Sequence, residues 1–595
     1  MGKKALKKTQ DSPLIALLSQ RYIQLFLICG LVLLCYLHTL DAPFYYDDNQ
    51  SLRGNLAIQG LNLSQIWSFS AARFIGYFSF AVNYAIHGYE LAGYHLINIS
   101  IHLMSSLAVY LLTATILQTP RLESSVSSLV KKWLPLATAI LFAIHPLQIQ
   151  AVTYIVQRLA SLSAMFYLFS MLCYLKGRLS SSVVMKGAYF FLLLVAFLSA
   201  IFTKQNAVTI PLTLFLIELS FFHQKRVLII AGSVVVLILL IIAYFVIPVL
   251  VNQSFIDFVS SQTVETNLFS RTEYLLVQIH VLANYLFKFI VPVNLVLNYE
   301  YLVPAGFLQQ STPILAILHI GMLLAGMFLW RKSPVVSFGI LFYYIAHLVE
   351  SSIIPIRDFG FDHRTYLPNF GLCLISAWLA LNVLQNRRSK KNIVTAFLAY
   401  IVVLAGLTWQ RNNLWRDPVA FFQHEISINK NSFRSYCMLG EAYYVAGKLA
   451  QANETYKSAL PLIKYHVDRG NNSEESCFSN YAASLQEAGD LEGAKALIDN
   501  LNISTLSLPM QSKFTVTLGN IEALSGNLTV AENYFLRARE LDLQNIDAIS
   551  NLAKLKILTN ELQESFELFT LVNEMDPNDQ DGIVGLQYLS ELLQE

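Results

Sequence analysis

Apolar runs long enough to cross a bilayer recur through the first 410 residues and then stop. A crossing helix needs about 20 mostly apolar residues. Every backbone polar group inside hydrocarbon must find a partner within its own segment, so such runs fold as helices. Spans are read near 20–40, 93–117, 133–146, 160–175, 186–203, 206–222, 227–250, 313–330, 334–350, 366–386 and 393–410. The first is read as a span and not a cleaved leader, because further spans follow it and no small-residue cleavage site does. Segment 272–291 is apolar but interrupted, and is read as a helix lying at the interface. Charged residues make up 13% of the chain, against roughly 25% in soluble proteins. The net charge of +2 gives no footprint for nucleic acid.

Residues 411–595 hold no run near that length and read as polar, helix-forming sequence. The chain therefore divides into a membrane domain, 1–410, and a second domain, 411–595, joined through "TWQRNNLWRDP" at 408–418. Lys and Arg fall in alternate loops: Lys131 and Lys132, Lys176 and Arg178, Lys225 and Arg226, Arg331 and Lys332, and the run at 387–391. Positive loops stay cytoplasmic. Eleven spans then put residues 411–595 on the opposite face.

The loops of that opposite face carry the unusual polar residues. They read "FYYDDNQSLRGN" (44–55), "HPLQIQAVTYIVQR" (145–158), "TKQNAVT" (203–209) and "ESSIIPIRDFGFDHRTYLP" (350–368). Taken singly, each has a plain structural reading. An Asp pair caps a helix or turn, "HP" starts a helix, and a Lys at a span end snorkels. Four such clusters on one membrane face point instead to a shared cavity. Carboxylates there can take a proton from a hydroxyl, and Arg or Lys can hold a phosphate. In the span at 93–117, His95, Asn98 and His102 share one helical stripe facing the bundle. They either position the first outer loop or hydrogen-bond helices together; His102 is read as helix glue, and His95 is left between the two.

The second domain repeats with a period near 34, the helix-turn-helix signature of tetratricopeptide repeats. Leu439, Gly440, Tyr443, Ala452, Tyr456 and Ala459 form one copy. Leu518, Gly519, Ala531, Phe535 and Ala538 form another, and Leu552, Ala553, Phe569 and Pro577 a third. A weaker copy surrounds Tyr481, Ala482 and Ala494. The fold class is thus all-α: a polytopic membrane helix bundle followed by an α-solenoid. Cys437 and Cys477 fall in first helices of adjacent repeats; they could pair if this side is oxidising, and are read as two free buried thiols. The six cysteines show no metal-ligand spacing.

In order along the chain, "FYYDDN", "NYAIHGYELAGYHLINISIHL", "HPLQIQAVTYIVQR", "TKQNAVTIPLTLFLIEL" and "HLVESSIIPIRDFGFDHRTYLPNFG", with the repeats behind them, resemble the transmembrane and tetratricopeptide-repeat O-mannosyltransferase family and its bacterial relatives. The resemblance implies a GT-C-type membrane glycosyltransferase with a polyprenyl-phosphate-linked sugar as donor, an outward-facing site and inversion at the sugar carbon. It implies Asp47 and Asp48 at the catalytic centre, one of them the base toward a Ser or Thr hydroxyl. Arg364 is then expected at the donor phosphate with Arg158 or Lys204 assisting, and His145, His363, His95 and Asn98 in support. The sequence departs from the family pattern where Ile149 and Gln150 replace Thr-Glu, Gln205 replaces Glu and Asp362 precedes His363. No metal site is expected from these residues, although two aspartates can bind a divalent ion. The expected partners are the lipid donor, membrane lipid and an acceptor protein bound by the repeats. The expected location is a bacterial inner membrane with periplasmic repeats, or the ER membrane with lumenal repeats in a eukaryote. Two other functions fit the same architecture: transfer to a glycan or lipid acceptor, and a non-catalytic membrane-anchored scaffold.

Overall fold

The structure, a computed structural model, describes residues 17–222, 269–386, 390–467, 475–501, 503, 506–577 and 579–592. It separates into two compact units, Met1–Asp417 and Pro418–Glu595. The first runs a few residues past 410 because the helix Lys390–Leu414 continues without a break. Among the described residues the regular structure is helical, with one isolated antiparallel bridge between Tyr299 and Gly360.

Every predicted span within the described residues coincides with a helix, and the span at 227–250 lies outside them. Among the described residues, six helices are long and apolar enough to cross a membrane alone, or up to seven if a bent pair counts as one. Gln205–Phe221, Pro334–His347 and Asn369–Leu384 are apolar but shorter. The bent pair is Ser128–Ile144 with Pro146–Val152, at 57°. Its cause is local. A residue before proline is pushed out of the helical region, and His145 sits at ψ 130°. Its imidazole Nδ1 accepts the Leu147 N–H at 3.2 Å and caps the next turn, while Nε2–H donates to the Phe289 carbonyl at 2.9 Å. The turn that follows, Ile149–Val152, is buried throughout. A stretch that reads as a polar loop is therefore folded into the interior.

The helix Arg271–Ile290 is not among those long and apolar enough to cross. Ser270 and Glu273 form a capping box at its start. Its buried stripe, including Tyr274, Gln278, Val281 and Tyr285, supports the loop 348–368. Tyr274 donates to the Glu350 carbonyl at 2.8 Å, Gln278 to the Phe359 carbonyl at 3.0 Å, and Tyr285 to the Phe361 carbonyl at 2.9 Å. The two helices flanking that loop touch backbone to backbone. A Cβ on Gly371 would lie 2.6 Å from the Gly339 carbonyl oxygen, a crossing that only small residues permit.

The second unit is a run of helix pairs from Pro418–Ile428 to Gln580–Leu592. Gly440, Gly519 and Gly585 pack directly on the rings of Tyr456, Phe535 and Phe569, where a Cβ would come within 2.6 Å. Paired helices turn at Gly447, Gly489, Gly526 and Asn560, all at positive φ. Cys437 and Cys477 are joined in a disulfide. This corrects the free-thiol expectation: repeat stacking brings the two Cα atoms to 5.5 Å, within bridging range.

Candidate active site

The carboxylate pair sits on a short turn with unusual backbone. Tyr46, just before it, has φ 29°, a conformation costly for a non-glycine residue and frequent at functional sites. The two aspartates have different surroundings. Asp48 is fully buried. One oxygen accepts the Tyr45 N–H at 2.9 Å and the other the Val156 N–H at 2.7 Å. Asp48 thus fastens the loop 44–55 to the loop 145–158. Burial pushes its carboxyl well above the usual carboxylate range, against the pull of those two N–H groups and of Arg158. Asp47 is half-buried, and its backbone N–H donates to the Tyr154 hydroxyl at 2.8 Å. Of the two carboxyl groups, Asp47 is the one partly open to a substrate.

The loop is clamped from several sides. His95 donates through Nε2 to the Ala42 carbonyl at 2.8 Å, just before the loop 44–55. Tyr45 donates to the Trp415 carbonyl at 2.8 Å, and the Tyr45 and Tyr154 rings both pack on the Trp415 indole. His102 bridges the Ala143 carbonyl at 2.9 Å and the Tyr366 hydroxyl at 2.8 Å, which is helix glue. His145 caps the helix break described above.

Arg158 lies among protein acceptors. It is fully buried. Nε–H donates to Asn98 Oδ1 at 2.6 Å, and the Nη groups donate to Asn83 Oδ1 at 2.7 Å, the Tyr94 carbonyl at 3.1 Å and the Ser79 carbonyl at 3.3 Å. Its guanidinium lies 4.3 Å from the Phe80 ring centroid. Asn98 also donates to the Val152 and Ile155 carbonyls at 3.1 and 3.2 Å. Arg158 and Asn98 together hold the inward-folded turn in place. Arg158, expected to assist at the donor phosphate, thus has its donors directed at protein oxygens.

Lys204 and Arg364 do come together. Lys204 Nζ pairs with Glu350 Oε1 at 2.6 Å. Arg364 donates to the carbonyls of Phe359 and Asp358 at 3.0 and 2.9 Å, and its charge acts on Glu350 as that of Lys204 does. Half-buried Arg73 joins them, since its charge acts on both Lys204 and His363. It is carried there by the turn before Phe74–His87, where the Ile75 N–H donates to the Phe202 carbonyl at 2.9 Å. Burial, then Lys204, Arg364 and Arg73, push the His363 imidazole well below its usual range, so it stays neutral. Gln150 links this cluster to the inward turn. Its Oε1 accepts the His363 N–H at 2.8 Å and faces Nδ1 at 3.2 Å, while Nε2–H donates to the Leu297 carbonyl at 2.6 Å. A glutamate at 150 would lack that last donor. The departure from the family pattern is thus matched by a local amide partner.

The loop 145–158 therefore connects two neighbourhoods, with Val156 on Asp48 and Gln150 on His363. Sequence reasoning missed Arg73, Glu350, Tyr154 and Trp415. Glu350, Tyr154 and Trp415 lie inside stretches singled out for other residues; Arg73 carried no signal beyond its charge. Among the described residues, no three His, Cys, Asp or Glu side chains gather as a metal site would.

These features define an integral membrane protein with a loop-built polar site and a helix-pair solenoid. No family model matches the chain. It is similar to a protein O-mannosyl-transferase of Caenorhabditis elegans, at 24% identity over 75% of this chain and 63% of that protein. It is similar to the Drosophila melanogaster protein O-mannosyl-transferase Tmtc3, at 24% identity over 74% of this chain and 56% of that one. The human protein O-mannosyl-transferase TMTC3 is 22% identical over 93% of this chain and 68% of its own length. The chain thus spans under two thirds of the length of the first two relatives. Among solved structures it is similar to the tetratricopeptide protein YrrB, at 18% identity over 31% of this chain and 89% of that one, with a TM-score of 0.22. The repeat architecture rests on the helix pairs described above and not on that score.

Proposed function

We propose that the chain is a membrane glycosyltransferase that moves mannose or another hexose from a polyprenyl-phosphate donor to Ser or Thr hydroxyls of proteins presented by its repeats. The observation that carries this reading is the half-buried Asp47 on a strained turn, joined through one inward-folded loop to the cluster of Lys204, Arg364 and Arg73. The names of the similar proteins support it. Asp47 takes the proton of the acceptor hydroxyl as its oxygen bonds to the sugar carbon. The bond from that carbon to the phosphate oxygen breaks, and the lipid phosphate leaves with the electron pair. Lys204 and Arg364 offset the negative charge growing on it. A single displacement of this kind inverts the sugar carbon. Asp48, Arg158, Asn98 and His95 position the loops and touch neither reactant. A divalent ion is no part of the proposal: Asp48 spends both oxygens on N–H donors, which leaves Asp47 as one carboxylate ligand.

We infer that the site and the repeats lie on the extracytoplasmic face, in the periplasm of a bacterium or the ER lumen of a eukaryote. The alternation of Lys and Arg among the loops supports that placement, as does the Cys437–Cys477 disulfide, since such bonds persist in oxidising compartments. The test is glycopeptide mass spectrometry of envelope or secretory proteins from cells with and without the chain. A hexose increment on Ser or Thr that depends on the chain supports the proposal. Unchanged proteins with altered envelope polysaccharide would move it to a glycan acceptor. Unchanged proteins and glycans, with the deletion still rescued by an Asp47→Asn chain, would leave a scaffold.

A further inference from the structure

Three buried polar atoms lie within five residues at the end of helix Pro334–His347: His347 Nε2, Glu350 Oε2 and Ser351 Oγ, none with a hydrogen-bond partner. The three residues are 1%, 7% and 9% exposed. Buried polar groups are nearly always paired, so such a concentration calls for a cause. The His347 Nδ1–H donates to the Tyr343 carbonyl at 3.0 Å, so Nε2 carries a lone pair and accepts. Glu350 Oε1 is held by Lys204, so Oε2 is the acceptor left over. Two acceptors and one hydroxyl, all buried, suit a ligand that brings several O–H donors.

The surroundings narrow the ligand class. Lys204 and Arg364 act on Glu350, and so oppose a second cation. The charge of Glu350 reaches the His347 imidazole, and the two acceptors oppose an anion at their atoms. A neutral polyol meets neither objection. The cations suited to a phosphate lie next to these acceptors. The Tyr285 and Tyr343 rings pack on the His347 imidazole at 5.6 and 4.6 Å and fix its orientation.

We propose that His347, Glu350 and Ser351 form the subsite that receives the hydroxyl groups of the donor sugar, beside the cluster of Lys204, Arg364 and Arg73 that takes its phosphate. This rests on the glycosyltransferase reading and adds to it the residues that set donor choice. They act on binding of the glycosylated lipid and not on binding of bare lipid phosphate. A site built to hydrogen-bond a hydroxyl discriminates strongly against an analogue that lacks it.

The experiment uses the full chain in nanodiscs and measures binding of polyprenyl phosphate, polyprenyl-phosphate-mannose and polyprenyl-phosphate-glucose by native mass spectrometry. The variants are His347→Phe and Ser351→Ala, which leave the Glu350–Lys204 pair intact. Wild type is expected to take at least one glycosylated lipid tenfold or more tighter than the bare lipid. Each variant should cut that preference about fivefold, the worth of one hydrogen bond, with bare-lipid affinity unchanged. Ser351→Thr should restore it. Should His347→Phe lower the unfolding temperature, the Ser351 pair decides. Lipid binding with the preference intact in Ser351→Ala would overturn this inference and leave the glycosyltransferase reading standing. Wild type binding none of the three lipids would overturn both.

Discussion

Replacing Arg158 by lysine keeps the charge and removes the fork. In the structure one guanidinium reaches Asn98 Oδ1, Asn83 Oδ1 and the carbonyls of Tyr94 and Ser79, spread around a fully buried plane. A lysine ammonium at the end of a flexible stem can reach one of these acceptors well, and the others lose their donor. At about 1 kcal/mol for each of three lost bonds, Arg158→Lys should destabilise the membrane domain by about 3 kcal/mol. The assay is thermal or denaturant unfolding of the purified chain in detergent, with Asn83→Ala and the double variant alongside. The cycle should be non-additive by about 1–2 kcal/mol, because Asn83 and Arg158 share one bond. Donor affinity per folded molecule should stay near wild type. Unchanged stability with weakened lipid binding would refute this account and return Arg158 to the phosphate.

Asp48→Asn should cost about 1–3 kcal/mol of stability, because an amide has one acceptor oxygen for two buried N–H donors; equal unfolding midpoints would contradict the bridge to Val156. Cys437→Ser or Cys477→Ser should destabilise the repeats by about 2–4 kcal/mol, and reductant should lower the wild-type midpoint to that of the variants; a reductant-insensitive midpoint would refute the bond. The His363 imidazole is held well below its ordinary value of 6.5, so the unfolded chain binds a proton there that the folded chain does not. Its contribution is complete above that pH and is lost as pH falls toward the folded value, by up to about 1.4 kcal/mol per unit. His363→Gln should therefore flatten the acid side of the stability profile, and an unchanged slope would contradict its burial among cations.

The membrane helices were legible because hydrocarbon imposes one length and one polarity on each. The repeats were legible because small and aromatic residues recur at a period near 34, as Gly519 and Phe535 do in Ala553 and Phe569. The inward turn Pro146–Val152 was not, since Gln148, Gln150 and Thr153 read as solvent-facing until their buried partners are seen. Arg158 shows the same limit. A lone arginine in a polar stretch gives its charge, but the asparagines that consume its donors lie 60 and 75 residues away. The Asp47–Asp48 pair stood out as a motif. The difference between its members came only from Val156, brought close by the fold. Cys437 and Cys477 were placed in the first helices of adjacent repeats, and the pairing needed the stacking distance.

The most direct test of the central claim compares Asp47→Asn with wild type in turnover of a polyprenyl-phosphate-hexose by the purified full chain with an acceptor protein. The account predicts a loss of about 10²- to 10⁴-fold in kcat, as for removal of a general base, with the unfolding midpoint and donor binding unchanged. An Asp47→Asn chain that turns over at the wild-type rate would contradict it.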